Sequence, residues 1–193
     1  MEDNQKPKPQ DQKQAPVFAK NKHTDDLVDH YWGSINYILS LIKASEIKAG
    51  LILSFYGIIL NFVFTSVQTI LDTVQNKTGF YIIAGLWFVS TVISIFYSIR
   101  CFMPRIEGKF DKNIFFFGDV INEYGNIKEF SKIFYSISKD EDRLFDQLGQ
   151  QIYVNSKIAA GKFKNINKSL QFLAIGLILM MILAILYIVN TKG

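Results

Sequence analysis

Two stretches of this chain hold residue types that could do chemistry. The first is His23-Thr-Asp-Asp-Leu-Val-Asp-His30, two imidazoles beside three carboxylates. Such donors can hold a metal ion, but at ~1.5 Å rise per residue the imidazoles stand about two helical turns apart. They cannot share one ion without donors from another element, so the stretch reads as a solvated helix start. The second is the segment 100–169, with basic residues at both edges (Arg100, Arg105, Lys109, Lys157, Lys162, Lys164) and Phe115, Phe116, Phe117, Tyr124 and Tyr153 between them. Cations suit a phosphate and aromatic faces suit a base. The amides of Gln150, Gln151 and Asn155 could read base edges. Basic residues beside a membrane and aromatics at helical spacing also occur for structural reasons alone.

Enzyme signatures are missing. There is no P-loop, no glycine-rich dinucleotide fingerprint and no nucleophile elbow, so the chain reads as a non-enzyme that needs no cofactor. Its one cysteine, Cys101, cannot form an internal disulfide and reads as a reduced, inert thiol. The formal charge of +4 does not mark a nucleic-acid binder, because acidic residues are interleaved with the basic ones.

The elements that must carry these residues are membrane helices. Residues 51–70, 80–99 and 170–189 contain no charged side chain. Each would form a helix of ~30 Å, the hydrocarbon thickness of a bilayer. The first apolar run starts too late to be a signal peptide. Residues 1–48 carry seven Lys and residues 100–169 carry twelve Lys and Arg, against only Lys77 between the first two spans and Lys192 near the end. The positive-inside rule then places the amino terminus and the middle segment in the cytoplasm and the carboxyl terminus outside.

Five stretches follow. Residues 1–22, rich in Lys, Gln, Pro and Asp, read as a disordered tail. Residues 23–50 read as a cytoplasmic amphipathic helix, opened by Thr24 with Asp25 and Asp26 in its first turn and striped by Leu27, Tyr31, Ile35, Leu39 and Ile42. Residues 51–99 form a transmembrane hairpin, 100–169 a cytoplasmic helical segment and 170–190 the third span. In span one, Asn61 needs a partner in hydrocarbon, either a packed helix or a pore lining. Ser90, Ser94 and Ser98 make a face that lets helices approach closely. Pro104 should end the second helix. Ile121, Tyr124, Ile127, Phe130 and Phe134 are spaced as one helix, and Ser138-Lys-Asp-Glu141 reads as a capping box for the next. That last helix shows Leu144, Leu148, Ile152, Ala159, Phe163 and Ile166 near one face and no proline. It should run into span three as one rod of roughly 65–70 Å at ~1.5 Å per residue.

These motifs, in this order, resemble the Pycsar effector transmembrane family. Ala44-Ser-Glu-Ile-Lys48-Ala49-Gly50 is similar to the D-x-K-A-G segment leading into that family's first span, with Glu46 in place of Asp. Pro104-Arg105-Ile106, then Phe116-Phe117-Gly118-Asp119-Val120 and Glu123-Tyr124, resembles its P-R-L … L-F-F-G-D-I … E-Y block. Leu148-Gly-Gln-Gln151-Ile152-Tyr153, Lys157-Ile158 and Lys162-Phe163 resemble the run before its last span.

The resemblance implies an antiphage effector of the bacterial inner membrane. On cyclic CMP or cyclic UMP from a partner cyclase, it would impair the membrane and cause abortive infection. The chain shows no β-roll nucleotide module, so direct sensing would fall to the cytoplasmic helices. The candidate ligand contacts are Arg105, Phe116, Phe117, Gly118, Asp119, Tyr124, Gln151, Tyr153 and Lys157. The expected fold is all-α with three spans, the last helix continuous into the third. A three-span unit encloses little room for a pore, so self-association is expected. The expected partners are therefore the cyclic pyrimidine nucleotide, the bilayer and further copies of the chain. The rival reading is a membrane scaffold that binds a protein through its cytoplasmic helices. A transporter subunit ranks last, since the spans lack midplane charges and breaks.

Overall fold

The computed structural model describes residues 24–74, 78–103 and 112–192. The expected tail 1–22, His23, Lys77, Pro104, Arg105 and Lys109 lie outside the described residues. Among the described residues the chain is all-α: α1 (Thr24–Thr73), α2 (Thr78–Phe102), α3 (Phe117–Asn122), α4 (Ile127–Ser138) and α5 (Glu141–Lys192). The helices α1, α2 and α5 are each long and apolar enough to cross a membrane. The expected run of α1 into span one is present, as a helix of 50 residues. The expected rod is also present: α5 is one helix of 52 residues, about 78 Å at ~1.5 Å per residue. The residues form two compact units, one of 24–32 with 112–151 and one of 33–74, 78–103 and 152–192.

In the larger unit α1, α2 and α5 pack along straight seams. On α1 the buried line is Ile35, Ser45, Ala49, Ile52 and Tyr56, with Ile38 and Ile42 half-buried between. Its spacing of three and four residues is that of helices packed at a shallow crossing angle. Leu39, expected on this stripe, is exposed, and Ile38 takes its place. On α5 the line runs through Ala159, Lys162, Ile166 and Ser169. The core where the three helices meet is Ala49, Ile52, Tyr56, Cys101 and Ile166.

The serine face of α2 does what its spacing suggests. Ser94 Oγ donates to the Ser169 carbonyl at 2.8 Å and Ser169 Oγ to the Ser94 carbonyl at 2.9 Å. The Ser98 and Ser169 hydroxyls lie 2.7 Å apart, and Ser90 Oγ donates to the Phe172 carbonyl at 2.8 Å. Small side chains let the two backbones come this close, and each such bond in a membrane contributes on the order of 0.6 kcal/mol. Asn61 behaves differently. It is exposed on the outer face of α1, away from the seam, and does not point at α2 or α5.

The smaller unit is an aromatic cluster under short helices. Phe115 meets Trp32 edge-on at 5.6 Å and Phe134 at 6.0 Å, Phe134 continues to Phe130, and Tyr31 packs on Phe145 at 5.3 Å. Leu148, Ile114 and Ile137 are buried beside them. The single helix expected through residues 121–134 is instead two, α3 and α4. Gly125 adopts a left-handed φ of 71°, which a side chain would resist, and Asn126 starts a new helix by a capping box with Glu129. The box expected at Ser138 is also displaced. Ser138 still belongs to α4 and donates to the Phe134 carbonyl, whereas Asp140 caps α5 by accepting from the Arg143 N–H at 3.2 Å. Glu141 accepts from the Thr24 hydroxyl rather than reaching back.

Candidate functional site

The expected ligand contacts fall in different places. Phe116, Phe117, Gly118, Asp119, Tyr124 and Gln151 belong to the smaller unit, Tyr153 and Lys157 to the larger, and Arg105 lies outside the described residues.

In the smaller unit the Phe-Phe-Gly-Asp block has local work. The Asp119 carboxylate accepts the Asn113 N–H at 2.9 Å. Asn113 in turn donates through its amide to the Gln147 carbonyl, and its side-chain oxygen accepts the Phe115 N–H. The Gln147 side chain completes the clasp by accepting the Ile114 N–H at 2.9 Å. Four backbone or side-chain groups of the loop 112–116 are satisfied this way, so Asp119 and Gln147 set its path. Gly118 lies under the Phe116 ring, where an added Cβ would stand 2.9 Å from a ring carbon. Tyr124 packs on Phe130 at 6.0 Å. Burial, reinforced by the Asp119 charge, pushes its phenol above the ordinary range and keeps it neutral. Lys112 pairs with Glu123 at 2.9 Å on the surface. Phe117 is the outward member of the block, 78% exposed.

In the larger unit the basic residues at the end of α2 and in the middle of α5 converge. A cleft of about 260 Å³ opens between these helices, lined by Arg100, Lys157, Lys162, Lys164 and Lys168 together with Tyr97. Among the described residues that line it there is no carboxylate. Lys168 sits over the Tyr97 ring at 5.0 Å, and Asn165 holds the helix end through the Arg100 carbonyl. Arg100, Lys157, Lys164 and Lys168, with Lys162 already held by Glu46, favour an anion there, and a phosphate most simply. The volume is just below the ~300–1,000 Å³ usual for small-molecule sites.

Lys162 forms the floor of this cleft and is 5% exposed. Its ammonium donates to Glu46 Oε1 at 2.8 Å and to the Cys101 carbonyl at 2.6 Å. The buried Cys101 thiol lies 3.7 Å from the Ser45 carbonyl and 3.8 Å from that of Lys162. One cation therefore ties α1, α2 and α5 together. In the sequence Lys162 stands among the basic edge residues and Glu46 in a separate motif, so neither motif alone names the other as its partner. The available signal was register: Lys162 stands three residues after Ala159 and four before Ile166, on the seam itself. No group of His, Cys, Asp and Glu among the described residues could hold a metal ion.

Comparison with known proteins agrees with the motif order. The Pycsar effector protein domain (PycTM) matches residues 30–189. The Pycsar effector protein PtPycTM of Propioniciclava tarda is 25% identical over 157 residues, 79% of this chain and 76% of that protein. The Pycsar effector protein SaPycTM of Staphylococcus aureus is 28% identical over 141 residues, 73% of this chain and 84% of that protein. No solved structure matches. The chain belongs to the Pycsar effector family: it is a membrane antiphage defence effector, its three long apolar helices carrying a basic cleft and a buried lysine that joins them.

Proposed function

We propose that this effector responds to cyclic CMP or cyclic UMP, impairs the bacterial inner membrane and kills the infected cell before phage mature. The observation that carries this reading is the basic cleft of Arg100, Lys157, Lys164 and Lys168, built directly on the Glu46–Lys162 tie between the three helices. A phosphate drawn there adds negative charge beside the one cation all three helices share. The ligand can then favour one helix arrangement over another, which is the thermodynamic requirement for a switch. The base would lie on aromatic surface, and within the same unit the exposed Tyr153 is the candidate. Arg105, Phe116, Phe117, Gly118, Asp119, Tyr124 and Gln151 complete the candidate set, several of them by shaping the smaller unit.

Purified protein in detergent is expected to bind cyclic CMP or cyclic UMP in preference to cyclic AMP. Replacing Arg100 and Lys157 together by Glu should remove measurable binding, since each charged hydrogen bond contributes about 1.5–3 kcal/mol. Calorimetry showing no heat with either pyrimidine would transfer support to the second reading, a scaffold for a protein partner. That reading has its own motive in Phe117, Ile121 and Ile127, three exposed apolar side chains of α3 and α4.

The orientation follows the basic residues, with the amino terminus and the cleft in the cytoplasm and the carboxyl terminus outside. Cysteines introduced near residues 10 and 125 should resist an impermeant maleimide in intact spheroplasts, and one near residue 76 should label. Labelling at 125 without permeabilisation would reverse the assignment.

A further inference from the structure

The outer face of α1 carries a stripe, polar but for Ile58, that nothing among the described residues covers. Ser54, Ile58, Asn61, Thr65, Gln68 and Asp72 follow at alternating steps of four and three residues, and all six are exposed. Ser54 lies two residues from Tyr56, so at ~100° per residue the stripe stands nearly opposite the seam that meets α2 and α5. Five of the six fall within the uncharged run 51–70, and Asn61 stands at its middle. Thr65 satisfies its hydroxyl on the Asn61 carbonyl at 2.8 Å. Among the described residues nothing hydrogen-bonds the Asn61 amide itself.

An amide facing lipid tails has no partner there and is costly, so this face must be covered in the membrane. We propose that it is covered by the α1 of a second copy of this chain. The spacing matches the seam of a two-stranded coiled coil, and a single buried Asn on such a seam fixes register. A primary amide both donates and accepts, so Asn61 can pair with Asn61 across a twofold axis. Beside it, Ser54 and Gly57 leave room for a close approach; nothing lies within 4 Å of a Cβ added at Gly57. The contact extends the self-association expected of the effector but does not rest on its nucleotide, so it can be measured without one.

The test uses the full chain in its native membrane, with the fully buried Cys101 left in place. Single cysteines at Ser54, Ile58, Asn61 and Thr65 are oxidised beside controls at Phe62 and Phe64, exposed residues off the stripe. Disulfide-linked dimer should form at the four stripe positions and fall severalfold at the two controls. In mild detergent, Asn61→Leu should raise the dimer dissociation constant about three- to tenfold, with Asn61→Gln close to the parent. Equal crosslinking around the helix, or an unchanged dimer in Asn61→Leu, overturns the proposal. So does free access of a water-soluble maleimide to position 61 with no crosslinking, which would place the stripe on a water path.

Discussion

Ala160→Pro is expected to abolish nucleotide-triggered depolarisation in an effector that is still made and inserted. Ala160 is exposed on α5, so the proline ring meets solvent rather than core. Its damage is to the backbone: it removes one helix hydrogen bond and clashes with the carbonyl four residues earlier, at about 3 kcal/mol. Because α5 is one helix from Glu141 to Lys192, a change of tilt near Gln151 can reach the apolar run 170–189 without a hinge to absorb it. A kink at Ala160 supplies that hinge. The apolar run is untouched, so insertion should persist, and a blot of the membrane fraction checks it. The decisive measurement is dye-reported membrane potential in cells that co-express a pyrimidine cyclase. Normal depolarisation in a well-expressed Ala160→Pro protein would mean that α5 does not carry the signal, leaving α1 or assembly to do so.

Glu46→Ala should destabilise the larger unit more than Lys162→Met. Lys162 is buried, and removing Glu46 leaves its ammonium with the Cys101 carbonyl alone, a loss of about 3 kcal/mol or more. Lys162→Met leaves the Cys101 carbonyl without this donor and Glu46 without its cation, but no buried charge: the Glu46 side chain is 38% exposed and can be hydrated, while a flexible thioether fills the seam. That loss should be nearer ~1 kcal/mol. The double variant should therefore recover most of the stability that Glu46→Ala alone loses. Thermal unfolding in detergent gives the order, and phage protection gives the consequence. A tie that only holds the helices together predicts protection wherever stability returns. A tie that the ligand works against predicts a stable double variant that no longer protects. Lys162→Met falling below Glu46→Ala in stability would show that the cation is not the buried, dependent partner.

Much of this protein was legible because its strongest signals are one-dimensional. Three uncharged runs of bilayer length and an unbroken, proline-free stretch before the third of them dictate helices whatever surrounds them, and α1, α2 and α5 follow those runs. The serine face of α2 was legible too, since i, i+4 spacing places Ser90, Ser94 and Ser98 together before any partner is known. Short helices were harder. The Asn126-x-x-Glu129 capping box was hidden by a continuous apolar spacing from Ile121 to Phe134. The left-handed Gly125 breaks that spacing, and Asn126 starts α4 directly after it.

Partnership between distant residues lay outside the sequence altogether. The bond between Asp119 and the Asn113 N–H is not written in either residue's motif, and Lys162 reads as one of several surface cations until Glu46 and Cys101 close over it. The same holds for Asn61, whose type demanded a partner without naming the direction in which to seek it. Composition and spacing determine which face a residue takes on its own helix. Only the packing of helices far apart in the chain decides what meets that face, because burial and hydrogen bonding depend on neighbours that sequence order does not supply.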